Sequence, residues 1–486
     1  MKRLLTSVAF LLAFTANAVY AQSQSWEDSI VVIESNIVEY AYYEPWSSTA
    51  RTVKKNGVVV SGNRVLTTAD WMQNATHVRM QKRGRGRWWN ARIDWVDYHA
   101  NLAVLSVGDP EFWDGLSKVT FSQVVPKSGK VQIYRQIGGN LENWNASVSK
   151  VFVAQGQRSF VRHMMLELSS DVDSSGWSEV VAHDGEVVGL AASQDQGRLL
   201  VIPAPLIAGL LEAKSNNVKA GLGFYDFVWQ FTRNESVTDL LGLKGPARGV
   251  VVTRVPENSA FSGVLEPRDI ILEIDGFPID LDGDYEDPIY GHVSFRNLAT
   301  RDIFAGDEST FVVWRDNQTI SLKVTLPTAR YEDELVPAQI FDRTPEYMIV
   351  GGLIFQPLTT DYLRSWGNDW WQSAPYRFSY YTYQEATAER PHLVVLSHLL
   401  PDRFNLGYQD LAYLAVDTVN DVTITDLNSL KAALTQPLDG FHVIEFLPNA
   451  SAQKVVLDAA ELPAATERIL SSYGIARGFV IHTQTY

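Results

Sequence analysis

The sequence predicts a mainly β protein of about three domains, and three observations support this. Between about residues 30 and 205, short runs rich in Val, Ile and Leu alternate with Gly, Asn and Pro, as in GVVVSG (57–62) and VQIY (131–134). That spacing favours an all-β barrel or sandwich. A strand, a polar turn, a short helix and a strand pair then follow in 249–279, and 392–424 repeats this order more loosely, which indicates two copies of one module. The length of 486 residues agrees with three domains at about 100–200 residues each.

The predicted domain boundaries follow changes in local composition. A helical stretch from about Pro205 to Lys214 leads into the polar segment KSNNVKAG, which is typical of a linker. The C-terminal copy carries an aromatic insertion, WGNDWWQSAPYRFSYYTY (366–383), which we interpret as a packed cover or a subunit interface. The predicted segments are a leader (1–21), a barrel domain (22–215), a first module (216–330) and a second module (331–486).

The N-terminus has the pattern of a secretory signal peptide. Lys2 and Arg3 precede an apolar run (11–14) and a stretch of small residues, and cleavage after Ala18 or after Ala21 fits this pattern equally well. No later stretch approaches the roughly 18 apolar residues of a membrane span. We therefore expect an exported protein without membrane insertion, and its expected destination is a bacterial periplasm.

Charge and cysteine content restrict the possible partners. The formal net charge is −15, and loss of Lys2 and Arg3 with the leader lowers it to −17. Long-range electrostatics then disfavours nucleic acid and anionic membranes, so a polypeptide partner is expected. The chain contains no cysteine, which excludes disulfides and thiolate metal sites. No His/Asp/Glu cluster has the spacing of metal ligands, and neither a metal nor a cofactor is expected.

Three blocks of sequence together resemble the HtrA/Deg family of serine proteases, particularly its plant-type Deg branch with two PDZ modules. The blocks are YYEPWSSTARTVKKNGVVVSGNRVLTTADWM (42–72), PEFWDGLSKVTF (110–121), and the pair YMIVGGLIFQPLTTDYL (347–363) and NLGYQDLAYLAVDTVNDV (405–422). The resemblance implies a trypsin-like double β-barrel followed by two PDZ-type α+β modules. It also implies a homo-oligomer based on trimers.

The residues at the family's catalytic positions do not match its triad. Asp70 stands where the family has histidine, and Asn101 stands where it has aspartate. The family's serine turn corresponds to DSSGWSEVV (173–181), where the alignment is uncertain by one residue. Ser175 is the first candidate for the nucleophile and Ser178 is the second.

This replacement predicts a catalytically degenerate site. A serine protease needs a base that takes the serine proton, and a carboxylate with a reference pKa near 3.9 is a far weaker base than imidazole near 6.5. Trp177, Ser178 and Glu179 also stand where glycines and a proline would form the oxyanion pocket. The remaining histidines considered as substitutes are expected to be surface or core residues: His99, His163 and His183.

A peptide-binding loop is the strongest remaining site signal. By the resemblance, GLGF (Gly221, Leu222, Gly223 and Phe224) turns its backbone amides toward the terminal carboxylate of a peptide. The peptide then adds as a strand, and Leu222 and Phe224 line an apolar pocket for its last side chain. The equivalent GGLIF (351–355) precedes the insertion and is expected to be structural.

These observations favour a pseudoprotease that binds polypeptide clients or protein C-termini. Such a protein serves as a scaffold, a chaperone-like factor or a regulatory subunit in envelope protein quality control, alone or in a hetero-complex with an active Deg protease. An active serine endopeptidase with a rearranged site is the first alternative. A purely structural envelope component is the second.

Overall fold

A computed structural model describes residues 25–156, 158–174, 178–195, 197–217, 220–448 and 454–482. The predicted leader, Ser175 and Trp177 lie outside these residues. A short helix, α1 (Trp26–Ser29), precedes the first of two closed six-stranded barrels, whose strands pair in the order β1-β2-β3-β6-β5-β4. These strands are β1 (Ile30–Tyr40), β2 (Ser48–Val60), β3 (Arg64–Thr67), β4 (Ala75–Lys82), β5 (Trp88–Asp97) and β6 (Leu102–Ser106).

The second barrel repeats the size and closure of the first. Its strands pair in the order β10-β11-β12-β9-β8-β7. They are β7 (Lys130–Ile137), β8 (Asn140–Gln155), β9 (Arg162–Ser169), β10 (Val180–His183), β11 (Glu186–Asp195) and β12 (Arg198–Pro203). The prediction of a mainly β fold with a double barrel is confirmed.

Apolar side chains form one core inside each barrel and a third core between the barrels. Val31 and Met80 belong to the first core, and Leu166 and Val181 belong to the second. The core between the barrels continues onto helix α2 (Ala204–Asn216), which buries Leu210 there. The predicted catalytic positions Asp70, Asn101 and Ser178 lie where the two barrels adjoin.

The middle module follows the barrels and contains an antiparallel sheet in the order β13-β14-β15-β19-β20, so that β13 is an edge strand. Strand β16 pairs with β15, and β17 and β18 form a separate hairpin. The elements are β13 (Val228–Phe231), α3 (Glu235–Leu240), β14 (Val250–Arg254), β15 (Ile270–Ile274), β16 (Phe277–Pro278), β17 (Asp284–Asp287), β18 (Gly291–Ser294), β19 (Glu308–Arg315) and β20 (Gln318–Thr325).

The turn between β19 and β20 illustrates how local sequence sets strand pairing. Asp316 and Asn317 connect the two strands, and their φ angles are 49° and 63°. A two-residue hairpin turn with both φ angles positive matches the twist of the strands, and Asp and Asn tolerate this region better than most residues. The turn therefore fixes the register that pairs Arg315 with Gln318.

The C-terminal module contains a larger sheet in the order β27-β26-β24-β23-β22-β21-β28, and β25 pairs with β24. Its strands are β21 (Tyr347–Val350), β22 (Leu353–Pro357), β23 (Val394–Leu399), β24 (Leu414–Val419), β25 (Val422–Thr423), β26 (Phe441–Phe446), β27 (Lys454–Asp458) and β28 (Phe479–Val480). Its helices are α4 (Thr360–Leu363), α5 (Trp370–Ser373), α6 (Tyr376–Tyr381), α7 (Leu427–Ala433) and α8 (Leu462–Ser472).

The aromatic insertion forms α5 and α6 and is partly packed. Phe378 is fully buried, whereas Tyr376 and Tyr383 are about four-fifths exposed (80% and 78%). One face of the insertion therefore covers the C-terminal module and the other carries exposed rings. The strands of the two modules lie within 228–325 and 347–480, and the predicted boundaries at 215/216 and 330/331 stay predictions.

Candidate functional site

Three described residues at the predicted catalytic positions meet where the two barrels adjoin. Asp70 follows β3 and Asn101 precedes β6, so both belong to the first barrel. Ser178 precedes β10 of the second barrel. Asn101 and Ser178 have φ angles of 53° and 59°, a left-handed conformation that serine seldom adopts. The fold thus brings Asp70, Asn101 and Ser178 to one junction between the barrels.

Asp70 and Asn101 are joined to each other by two hydrogen bonds. The Asn101 side-chain amide donates to Asp70 Oδ2 at 2.6 Å, and the backbone N–H of Asp70 donates to Asn101 Oδ1 at 3.0 Å. Arg158 Nε lies 4.0 Å from Asp70 Oδ1. The position of the family's histidine is therefore filled by a carboxylate whose described partners are an amide and a guanidinium. This arrangement orients no base toward a serine.

The Ser178 hydroxyl is enclosed by the first barrel. Its oxygen lies 2.7 Å from Thr68 Oγ1, 3.2 Å from Thr67 Oγ1 and 3.4 Å from the backbone N of Thr68. The side chain has 0% exposure. A hydroxyl in this environment holds the two barrels together, and a peptide carbonyl has no access to it.

Sequence reasoning did not identify Lys55, which lies beneath this site on β2. Its ammonium donates to Thr68 O and Thr68 Oγ1 at 2.7 Å and to Asp70 O at 2.6 Å. The residue is 1% exposed. Three acceptors match the three protons of an ammonium, so Lys55 fixes the backbone that presents Asp70.

The buried position of Lys55 changes its acidity. Burial lowers its pKa from the ordinary value of 10.5 to about 7, and the carboxylates of Asp70 and Glu179 partly oppose that effect. Glu179 stands where the resemblance places the family's proline and is fully buried. Its carboxylate lies 3.7 Å from Arg135. Ionic groups thus occupy the interior beside the candidate site.

The three histidines considered as substitutes make other contacts. His99 Nδ1 lies 2.9 Å from Ser159 Oγ, and burial lowers its pKa to about 4. His163 is buried and its Nδ1 lies 2.8 Å from its neighbour's carbonyl oxygen, while His183 pairs with Asp184 at the surface. Within the described ranges, no histidine forms a hydrogen bond with Ser178 or Asp70.

The predicted peptide-binding loop is only partly as expected. Phe224 lines a cavity, but Leu222 is 2% exposed and belongs to the core shared by the barrels and α2. The backbone N–H of Phe224 donates to Pro327 O at 3.1 Å, and Gly223 pairs with Thr328. This differs from the expectation that Leu222 faces a pocket, because the loop is docked onto the barrels. The Phe224 amide is thereby already occupied within the protein.

The cavity beside this loop measures about 590 Å³, within the range typical of ligand sites. All three parts of the protein contribute to its wall. Gly223 also lies on the wall, whereas Gly221 instead accepts a hydrogen bond from the backbone of Ala305. Arg162 of the second barrel, Phe224, Val228 and Arg296 of the middle module and Glu385 of the C-terminal module lie on the cavity wall, and Phe160 of the second barrel lies there too.

We expect Gly223→Ala to destabilise the protein by about 1–3 kcal/mol, because it overpacks a rigid contact. A Cβ atom at Gly223 would lie 2.3 Å from the carbonyl oxygen of Ala299 and 2.8 Å from a methyl group of Leu326. Urea denaturation of the variant measures the change in the free energy of unfolding. Gly108→Ala is the control, since a Cβ there meets nothing within 4 Å. Equal midpoints for the two variants would contradict this close contact.

In the described part of the chain, no group of three or more His, Asp or Glu side chains is arranged to hold a metal ion. No helix in those ranges has the length and apolar character needed to span a bilayer.

Comparison with known proteins adds an independent line of evidence. A PDZ domain model matches residues 336–479. The putative protease Do-like 3, mitochondrial, of Arabidopsis thaliana is 24% identical over 80% of this chain and 68% of its own length. The protease Do-like 2, chloroplastic, of the same plant is 25% identical over 89% of this chain and 72% of its own.

A solved structure of the HtrA-type protease AlgW with a decapeptide superimposes with a TM-score of 0.48. It is 17% identical and covers 63% of this chain and 96% of its own. The relatives span both the barrels and the modules of this protein. The chain is thus similar over most of its length to Do-like proteases, and it carries a PDZ domain in its C-terminal module.

Proposed function

We propose that this protein is an exported, catalytically inactive member of the HtrA/Deg family that binds polypeptides. It acts in the bacterial periplasm as a scaffold, a chaperone-like factor or a regulatory subunit of protein quality control. Its clients are protein C-termini or misfolded chains, which bind in the cavity beside the loop 221–224 of the predicted first PDZ module. We further propose that it assembles into trimer-based homo-oligomers or joins an active Deg protease.

The Asp70–Asn101 pair is the observation that carries the loss of activity. In a serine protease the base takes the serine proton and passes it to the leaving amine. Asp70 is held by Asn101 Nδ2 at 2.6 Å and has no described contact with a serine hydroxyl. In subtilisin, a serine protease of a different fold, loss of the serine or the histidine costs about a million-fold in turnover. A comparable loss here leaves binding as the remaining function.

One observation favours the alternative of an active endopeptidase. Lys55 Nζ, Thr68 Oγ1 and Ser178 Oγ form a chain with successive distances of 2.7 Å, and a lysine with a lowered pKa is able to act as a base. However, Lys55 and Ser178 are 1% and 0% exposed. A substrate carbonyl does not reach a nucleophile inside the core. We therefore assign a structural role to the hydrogen bonds that link Lys55, Thr68 and Ser178.

Digestion of unfolded casein tests the proposed inactivity. The protein is isolated from a periplasmic fraction, where its first residue is expected to be Val19 or Gln22. We expect no cleavage above background, because no competent base faces a serine in the described site. A serine-directed fluorophosphonate is expected to leave the native protein unlabelled. Ser175→Ala and Ser178→Ala are matched controls.

Cleavage by the native protein that is lost in either serine variant would establish the endopeptidase alternative and name its nucleophile. A trace of cleavage that persists in both variants would indicate a contaminating protease. The purely structural alternative makes a different prediction, since a component without a peptide site binds no peptide in the assay described below.

A further inference from the structure

Two arginines on the cavity wall come from different domains and are brought together by a specific contact. Arg162 begins β9 of the second barrel, and Arg296 lies in the 3-10 turn after β18 of the middle module. Two residues along β9, the backbone N–H of Met164 donates to Asn297 Oδ1 at 3.1 Å. This buried hydrogen bond joins the two segments and places Arg162 and Arg296 on the same cavity.

Neither arginine is neutralised by the protein. In the part of the chain that the structure describes, no carboxylate lies within 4.0 Å of Arg162 or Arg296. The guanidinium of Arg296 lies 5.4 Å from the ring centroid of Trp229. Burial lowers the pKa of Arg296, the positive charge of Arg162 lowers it further, and no nearby carboxylate opposes them. Arg296 is half-buried and Arg162 is exposed. Two like charges, one of them partly removed from water, repel each other unless an anion joins them.

The acidic groups of the same cavity form a separate cluster. Burial raises the pKa of Asp226, Asp333 and Glu334, and a neighbouring carboxylate raises each of them further; that of Glu334 reaches about 7. Glu385, from the C-terminal module, forms an ion pair with Arg254. None of these carboxylates is among the groups that shift the pKa of Arg296, so the described acidic residues leave the positive charge of the arginine pair uncompensated.

The loop that would receive a carboxylate by the resemblance is constrained. The Phe224 amide is already hydrogen-bonded to Pro327 O. Strand β13 nevertheless has a free edge, and Val228 beside the cavity is 41% exposed. An extended peptide is able to pair with such an edge through its backbone. Its anionic groups then find their strongest partners in guanidinium side chains, which bind carboxylates through two parallel hydrogen bonds.

We propose that Arg162 and Arg296 form a composite carboxylate-binding site that selects peptides with an acidic C-terminal end. The inference rests on the proposed function and deepens it by naming the substrate class. The carboxylate comes from the peptide terminus or from an Asp or Glu side chain next to it. Because one arginine belongs to the barrel and the other to the middle module, the ligand bridges two domains.

Fluorescence anisotropy with labelled decapeptides tests this site. The probe carries fluorescein at its N-terminus, Asp and Glu at its third-last and second-last positions, and a free terminal carboxylate. One counterpart has a terminal amide, and another has Asn and Gln in place of the acids. Arg162→Gln and Arg296→Gln are each expected to weaken binding of the acidic probe about tenfold, since a charge-assisted hydrogen bond contributes about 1.5–3 kcal/mol. Arg248→Gln is the control, because this exposed arginine bonds to carbonyl oxygens of its own turn.

Each outcome decides a separate point. Weaker binding of the amidated peptide identifies the terminus as the carboxylate source, and weaker binding of the Asn/Gln peptide identifies the side chains. Unchanged affinity of both arginine variants would overturn the composite site while leaving the proposed function in place. Absence of binding of every peptide to the native protein would overturn the proposed function itself. Circular dichroism of each variant separates loss of binding from loss of fold.

Discussion

Asn101→Asp is expected to destabilise the protein by about 2–4 kcal/mol at pH 7, although it restores the residue type of the family's triad. The native Asn101 amide donates to Asp70 Oδ2 at 2.6 Å. The substitution replaces this donor with a second carboxylate, so one of two adjacent carboxyls must bind a proton. Each unit by which its pKa rises costs about 1.4 kcal/mol. Urea denaturation at pH 7 measures the loss.

The pH dependence and a double variant make this prediction specific. The penalty is expected to shrink as the pH falls toward 4, because the carboxyl of the unfolded chain, with a pKa of about 3.9, then also begins to bind a proton. Asp70→His combined with Asn101→Asp is expected to recover most of the stability, since imidazole and carboxylate attract each other. Asn143→Asp on the exposed face of β8 is the control. If Asn101→Asp alone is as stable as the native protein, the close contact between the side chains of residues 70 and 101 is disproved.

The free energy of unfolding of the native protein is expected to rise between pH 7.5 and 9.5, and Lys55→Met is expected to remove this rise. The pKa of the native Lys55 is lowered to about 7 in the folded protein, whereas the unfolded chain holds its proton until about pH 10.5. In this window the unfolded state binds more protons, so the free energy of unfolding of the native protein increases with pH. The contribution is at most about 1.4 kcal/mol per pH unit. Denaturation midpoints across the window measure the slope.

The neighbouring lysine provides a matched control for this experiment. Lys54 lies on the opposite face of β2, where its side chain is 49% exposed and lies 3.5 Å from Glu34. Lys54→Met is expected to keep the native slope. If the slope of Lys55→Met equals that of the native protein, then the lysine is charged in the folded state throughout the window and the depressed pKa is refuted.

The strands were predictable because their signals are local. Runs such as GVVVSG coincide with strands, and the predicted helix at about 205–214 corresponds to α2 (Ala204–Asn216). The closure of each barrel was not predictable from local patterns, because it depends on pairing between distant segments such as β1 and β4. The resemblance supplied that information, and it also located Asp70 and Asn101 at one site.

Some features of the site could not be predicted because they depend on tertiary contacts, as three residues show: Lys55, Leu222 and Arg296. Lys54 and Lys55 look alike in the sequence, and only the alternation of a strand next to the buried run of 57–60 hints that one of them points inward. The GLGF motif predicts a loop but not the partner on which Leu222 packs. Arg162 and Arg296 are distant in sequence, so their shared cavity exists only after the barrel and the middle module have docked.

The packing of Leu222 has a consequence for how the molecule can be divided. This leucine follows the predicted linker, yet it is buried with Leu66 and Leu190 of the two barrels. A fragment that begins at residue 216 would expose the Leu222 side chain, and the core between the barrels would lose the contacts of that side chain. The change in composition marks a linker in the sequence, but the residues that follow it pack into the core of the barrels. The two parts therefore cannot be separated at this position without exposing apolar side chains.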